Sequence, residues 1–211
     1  MALSDEVRRA CAEIAAAARS VVIDHGRARA LAAEWGAAGL GPPPLDPERH
    51  YLEGSREDVA AYLLTLDAIA AAGGSAQRLA ADLAAGMPFF DDRGFYKRAQ
   101  ITPSDLALAG VAGFDDLHRL TIFADNVVAH VLRVDGVLVY HAALAAHVDS
   151  GRLLPPGREE REIRACAVHA CELIARELGV PPRELDYWLW NRGRGPRYKA
   201  RPRHRTRTVY Y

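Results

Sequence analysis

The sequence has only three cysteines, Cys11, Cys166 and Cys171, and no C-x-x-C pair. An odd number at such distances excludes a disulfide framework and a thiolate zinc site as the basis of the fold. Cys166 and Cys171 lie five positions apart on a helical stretch, which turns them to different faces. The three read as buried thiols in a reducing compartment. Neither a G-x-G-x-x-G nor a G-x-x-x-x-G-K-[ST] phosphate loop occurs, and there is no H-E-x-x-H pair and no G-x-S-x-G elbow. The common nucleotide folds, zinc hydrolases and serine hydrolases therefore lose their signatures. His141 and His147 are six apart and do not face one metal from a straight helix. Neither a metal nor another cofactor is expected.

Long apolar runs are missing too, so no membrane partner is expected. The opening MALSDEVRRACAEIAAAARSVV carries early acids and an amphipathic pattern, not the basic start and continuous apolar run of a signal peptide. A cytoplasmic protein is expected. Net charge is zero, so bulk charge selects no partner. Basic residues nevertheless crowd the last twenty positions.

What is present is ordinary globular composition: 211 residues, 50% apolar and 26% charged, enough for one domain spanning 1–211. The periodicity predicts a mainly helical, all-α fold with few or no strands. A first helix is expected from Ser4, as cap, to about Ser20, and a second over Arg27–Trp35. Val21-Val22-Ile23 is a short apolar run between them. Gly41-Pro42-Pro43-Pro44 is a stiff connector. Ser55-Arg56-Glu57-Asp58 reads as a capping box for a helix carrying Val59, Tyr62, Leu63, Leu66 and Ile69. Further helices are predicted over Gln77–Ala85, from Thr102-Pro103-Ser104-Asp105 as a start signal, over Asp115–Leu120, Thr121–Leu132 and Ala142–Val148, and over Glu159–Leu178 closed by Gly179. Asp135-Gly136 is a turn, and Pro181-Pro182 opens a last helix through Trp190. Gly193 and Gly195 then release a basic tail.

Four segments carry candidate chemistry. Leu120–Leu132, as a helix, is apolar nearly all round, so Asp125 on its face must be paired, serve as a cap, or line a cleft. Phe95-Tyr96-Lys97-Arg98-Ala99-Gln100-Ile101 interleaves aromatic and cationic groups; on spacing alone a solvated basic pair is the simpler reading. In the tail, an extended chain would turn Arg201, Arg203, Arg205 and Arg207 one way and His204, Thr206 and Thr208 the other. A row of guanidinium groups suits phosphate, and the ending Val209-Tyr210-Tyr211 favours docking onto the body. Asp186-Tyr187-Trp188-Leu189-Trp190 offers flat surfaces for a planar base, although aromatics at helical spacing more often belong to a core.

In this order the segments resemble the queuosine salvage family of queuosine 5′-phosphate N-glycosylases. The resemblance begins with Arg19-Ser20-Val21-Val22-Ile23-Asp24 and the helix Tyr62–Ile69. It becomes specific with Phe95–Ile101, Leu120–Asp125, Glu162-Ile163-Arg164-Ala165, Asp186–Trp190 and Pro202–Tyr211. It implies an all-helical fold similar to helix-hairpin-helix DNA glycosylases. It also implies metal-independent hydrolysis of queuosine 5′-monophosphate to queuine and ribose 5-phosphate, with a small nucleotide and not a nucleic acid as partner. Asp125 matches the family's catalytic carboxylate and Lys97 its lysine. Arg205 and Arg207 are implied phosphate ligands, Asp186 an acceptor for the base and Trp190 its wall. Phe123, Tyr96 and His204 complete the implied substrate contacts. A non-catalytic nucleotide or nucleic-acid binder on the same scaffold is the alternative. The chain departs from the family where Ala70-Ala71-Ala72-Gly73-Gly74 replaces an Asn-Phe pair and further aromatics, and where Asn126-Val127 replaces tyrosine and arginine. The wall around the base is expected to differ accordingly.

Overall fold

The computed structural model describes residues 2–39 and 73–210. The Gly41–Pro44 connector, the Ser55–Asp58 capping box, the helix expected around Val59–Ile69 and Tyr211 lie outside the described residues. In chain order the elements are α1 (Leu3–Ala17), β1 (Val21–Ile23), α2 (His25–Ala37), α3 (Ala76–Gly86), α4 (Lys97–Leu108), a 3-10 turn (Leu117–Arg119), α5 (Asn126–Val134), β2 (Leu138–Tyr140), α6 (Ala142–Asp149), α7 (Arg158–Leu178), α8 (Pro182–Arg192) and the short α9 (Pro196–Lys199). The fold is mainly helical, as the periodicity predicts.

The longest amphipathic stretch becomes the central element. On α7, Ile163, Ala167, Ala170, Cys171 and Ile174 are fully buried, and α1, α2, α5 and α8 all pack against it. Its small residues let neighbouring helices come close, while each buried isoleucine contributes about 1.5–3 kcal/mol of apolar transfer. Gly179 ends the helix in the left-handed conformation, φ 69°. Against α7 lies α1, burying Leu3, Val7 and Cys11 at intervals of four.

The short apolar run Val21–Ile23 is a strand. It pairs antiparallel with β2, Val21 opposite Tyr140 and Ile23 opposite Leu138. Val21, Leu138 and Tyr140 face the core, whereas Val22 and Val139 face outward. The backbone before β1 is satisfied by the Glu162 carboxylate, which accepts from the Arg19 and Ser20 amides at 3.1 and 2.7 Å. The 162–165 motif and the 19–24 motif are thus one contact.

Several boundaries differ from expectation. Ser4 does not cap α1; it is buried inside the helix, and its amide donates to Gln77 Oε1. α4 starts at Lys97, not at the Thr102–Asp105 signal, and carries Pro103 in its interior. Pro103 has no N–H to give to the Ala99 carbonyl, and beside this break Thr102 Oγ1 donates to the Arg98 carbonyl at 2.9 Å. Asp115–Leu120 reduces to the 3-10 turn. Leu120–Ala124 is not helical, and α5 begins only at Asn126. Its β-branched apolar run fits an extended buried segment as well as a helix, and distant side chains select the former.

α8 meets α5 so closely that a Cβ on Gly193 would stand 2.6 Å from Val127 Cγ1 and 3.1 Å from Val131 Cγ2. Gly193→Ala is expected to destabilise the protein by about 1–3 kcal/mol through overpacking, read as a lowered urea midpoint at unchanged slope. An unchanged midpoint would mean that this contact relaxes freely.

Candidate active site

Leu120–Ala124 is buried yet belongs to no sheet, so its backbone groups need partners from elsewhere. Side chains of three other elements supply them. Gln100 on α4 accepts from the Thr121 amide at 3.1 Å through Oε1 and donates from Nε2 to Thr121 Oγ1 and the Phe95 carbonyl, at 2.9 and 3.0 Å. Asp186 on α8 accepts from the Phe123 amide at 2.9 Å. Arg164 on α7 donates from Nε to the Ala124 carbonyl at 3.0 Å.

Arg164 is only 2% exposed and ties this segment to the loop before α4. Its two terminal nitrogens bond the two oxygens of Asp92, and Nη1 also reaches Glu160 Oε1 at 3.4 Å. The guanidinium lies 4.0 Å from the centre of the Phe95 ring. A buried cation is tolerable here because carboxylates, a carbonyl and an aromatic face replace its water.

This framework delivers Asp125 to the first turn of α5. It is the N-cap, not a residue of a helix interior, and it is half-buried. Its Oδ1 accepts from the Val127 and Val128 amides at 2.8 and 2.9 Å. Oδ2 accepts no hydrogen bond from the described residues. One oxygen is therefore pinned at the positive end of a helix while the other remains available.

Lys97 is the first residue of α4, half-buried and in no ion pair among the described residues. Tyr96, just before it, is the one non-glycine with positive φ among the described residues (φ 50°, ψ 40°). Its phenol donates to Glu6 Oε1 at 2.8 Å; burial and that carboxylate push its pKa up to about 12. The side chain lines an open depression of about 520 Å³ with Leu3, Glu6, Asp91 and Arg93. Tyr96 thus faces α1, not Asp125. Phe95 packs fully inward, and Arg98 is exposed.

Other candidates occupy distinct positions. The Phe123 ring is 2% exposed and packs with Ala76, Ile101 and Leu120. Asp186 is 1% exposed and engages the Phe123 backbone. Trp190 is half-buried beneath the Arg194 guanidinium, 5.2 Å from its ring centre, whereas Trp188 meets Trp35 edge-on at 4.2 Å.

The tail is docked: the Leu154 amide donates to the Arg205 carbonyl at 2.8 Å. His204 points inward and is buried. Burial first, then the nearby Arg164 and His130, lowers its pKa to about 3, so the imidazole is neutral. Arg203, Arg205 and Arg207 point outward and are exposed, and Arg205 donates to the Gly151 carbonyl at 2.6 Å. The alternation matches the extended-chain reading, but it sends the guanidinium groups to solvent.

The sequence reading passed over Gln100, Asp92 and Arg164 as individual groups. Arg164 had a signal: an arginine in register with Ala167, Val168, Cys171 and Ala175 on a buried helical stripe.

Comparison with known proteins bears on this arrangement. A family model described as "Queuosine salvage protein" matches residues 59–211. A Sphaerobacter thermophilus protein named "Queuosine 5'-phosphate N-glycosylase/hydrolase" is 38% identical over 195 residues, covering 82% of this chain and 60% of that protein. A Mus musculus protein of the same name is 32% identical over 203 residues, covering 81% of this chain and 59% of its own length. One from Dictyostelium discoideum is 38% identical over 134 residues, covering 56% of this chain and 40% of that protein. The chain thus spans at most about 60% of the length of these relatives.

Proposed function

Because the chain belongs to the queuosine salvage protein family, we propose that it hydrolyses the N-glycosidic bond of queuosine 5′-monophosphate or a related 7-deazaguanine nucleotide. The products are the free base and ribose 5-phosphate. The observation that carries this reading is the division of labour within Asp125: Oδ1 holds the α5 cap and Oδ2 is uncommitted.

Breaking the bond between base and sugar builds positive charge on the ribose. A fixed carboxylate oxygen beside that charge stabilises it, orients an attacking water, or attacks the anomeric carbon directly. Because Asp125 is already locked by its cap, little reorganisation is needed when the charge develops. Lys97 supplies a cation for the phosphate or for Asp125 itself. Asp186 and Phe123 act on the segment carrying Asp125, fixing it by backbone bond and by packing. Asp186 is the assigned acceptor for the base and Trp190 its wall.

Tyr96 sets the turn from which Lys97 projects, and neutral His204 anchors the tail. Arg205 and Arg207, held outward on that anchored segment, add a positive field that draws in a nucleotide phosphate. Three unpaired, buried thiols fit a cytoplasmic enzyme.

The test is direct. Purified protein is incubated with queuosine 5′-monophosphate, and free base and ribose 5-phosphate are separated by chromatography. Equimolar release of both is expected. Recovery of intact nucleotide after prolonged incubation would remove the reading.

A further inference from the structure

The turn that launches α4 is held in a conformation that one of its residues does not favour. Two positions in it have positive φ, Gly94 at 87° and Tyr96 at 50°. Glycine adopts that geometry freely. Tyrosine does not, because its Cβ crowds the following carbonyl, and such a residue persists only where its surroundings hold it. Lys97 follows at once as the first residue of α4, so the left-handed step at 96 sets the direction in which its side chain leaves the backbone.

Both flanks of that step are fixed. The Tyr96 amide donates to the Asp92 carbonyl at 2.7 Å, and its carbonyl accepts from the Gln100 amide at 2.9 Å. Asp92 is in turn gripped by Arg164, and Gln100 is bound to Thr121. A change of φ at 96 therefore falls on Lys97.

The hold on Tyr96 itself comes from α1. The phenol donates to Glu6 Oε1 at 2.8 Å, the one hydrogen bond of that side chain among the described residues. Glu6 stands in the first turn of α1. The same helix meets the turn again one helical turn later, where a Cβ on Gly94 would lie 3.6 Å from Ala10 Cβ. The Cys11 thiol donates to the Gly94 carbonyl at 3.6 Å. From α7, Arg161 donates to the Arg93 carbonyl at 3.2 Å. These neighbours cradle the backbone of 93 and 94; the strained residue is held by Glu6. A glycine at 96 would take the same φ without strain, but it would give α1 nothing to hold. Glu6 also lies outside residues 59–211, the part of the chain that the family model matches.

We propose that Glu6 is a positioning residue for the hydrolytic site: by gripping the Tyr96 phenol it keeps the left-handed step that aims Lys97 at the nucleotide. The inference rests on Lys97 belonging to that site. It makes α1 a support of the reaction through a carboxylate that does not touch substrate.

Two measurements test the proposal. The first is kcat/KM for queuosine 5′-monophosphate in a double-mutant cycle. Glu6→Ala and Tyr96→Phe each remove the bond and are expected to lose about 10- to 100-fold, as a misdirected group does. Alanine suits a helix, so Glu6→Ala is expected to fold. Glu6→Gln keeps a carbonyl oxygen for the phenol and is expected to restore most of the rate. In Lys97→Met, adding Glu6→Ala is expected to cost nothing further, because the group being aimed is gone. Losses that multiply overturn the proposal, since a bond that only steadies the fold acts alike with or without the lysine. So does Glu6→Ala at the wild-type rate, or Glu6→Gln as impaired as Glu6→Ala. A loss in Tyr96→Phe that Glu6→Ala does not share also overturns it, by placing the phenol on the substrate.

The second measurement needs no turnover. Backbone carbon NMR of tyrosine- and lysine-labelled protein follows residues 96 and 97, with their signals assigned by absence from Tyr96→Phe and Lys97→Met. Glu6→Ala is expected to move the Tyr96 signals toward ordinary right-handed values and to shift Lys97 with them, whereas Glu6→Gln leaves both in place. Unmoved signals in Glu6→Ala overturn the proposal. A wild-type protein without turnover would count against the hydrolase reading alone; Glu6 is then judged by these signals.

Discussion

Asp125→Asn is expected to lower hydrolysis of queuosine 5′-monophosphate by at least about 100-fold while leaving thermal stability within about 0.5 kcal/mol of wild type. The two halves of this result have different causes. Oδ1 serves the fold by accepting the Val127 and Val128 amides at 2.8 and 2.9 Å. Asparagine caps a helix about as well as aspartate, because its carbonyl oxygen can take the same two bonds. What it cannot supply is the negative charge of Oδ2 beside a ribose that is becoming cationic. Alanine at 125 removes both functions and should cost about 1–2 kcal/mol as well as activity. A folded Asp125→Asn that still turns over at the wild-type rate would assign the chemistry to another group.

Arg164→Met is expected to be the most destabilising single change, at about 3–5 kcal/mol. For a protein of this size that corresponds to a fall in melting temperature of roughly 10 °C. Methionine approximates the length of the aliphatic stem, so little volume is lost. The damage is electrostatic: Asp92, 3% exposed, and Glu160, 7% exposed, are left in the interior without the cation that faces them. The Ala124 carbonyl also loses its donor. Adding Asp92→Asn should recover part of the loss by removing one stranded charge, giving a non-additive double mutant. Because Ala124 adjoins Asp125, turnover should fall even where the variant remains folded. A loss below about 1 kcal/mol would show that water enters and solvates the carboxylates.

Much of the helical frame was legible because apolar residues recur at 3.6-residue spacing. α7 is the clearest case: Ile163, Ala167, Ala170 and Ile174 mark the buried face, and Gly179 marks the stop. The segment bearing Asp125 was not legible in the same way. Leu120–Ala124 has the composition of a buried helix, and what makes it extended is the hydrogen bonding of Gln100, Asp186 and Arg164, each remote in sequence. Propensity cannot register partners that arrive only on folding.

The start of α4 was hidden by a different effect. Thr102-Pro103-Ser104-Asp105 carries the residues that usually open a helix, so the segment reads as a helix start. In fact α4 has already run five residues before Thr102, and its first turn is held by Gln100. The tail shows the reverse. Its alternation was correct, and which face met the protein depended on where His204 could be buried.

The ribbon joining Val21–Ile23 to Leu138–Tyr140 has a consequence for how the chain is made. Residues synthesised near the start must wait for partners more than a hundred positions later, and the amides of Arg19 and Ser20 wait longer still for Glu162. Until α7 leaves the ribosome, Leu3, Val7 and Cys11 lack the helix that α1 packs against most extensively, and part of their apolar stripe stays open to wrong neighbours. Such non-local closure slows folding and lengthens exposure to aggregation. Yield from a heterologous host should therefore respond to translation rate and chaperone supply.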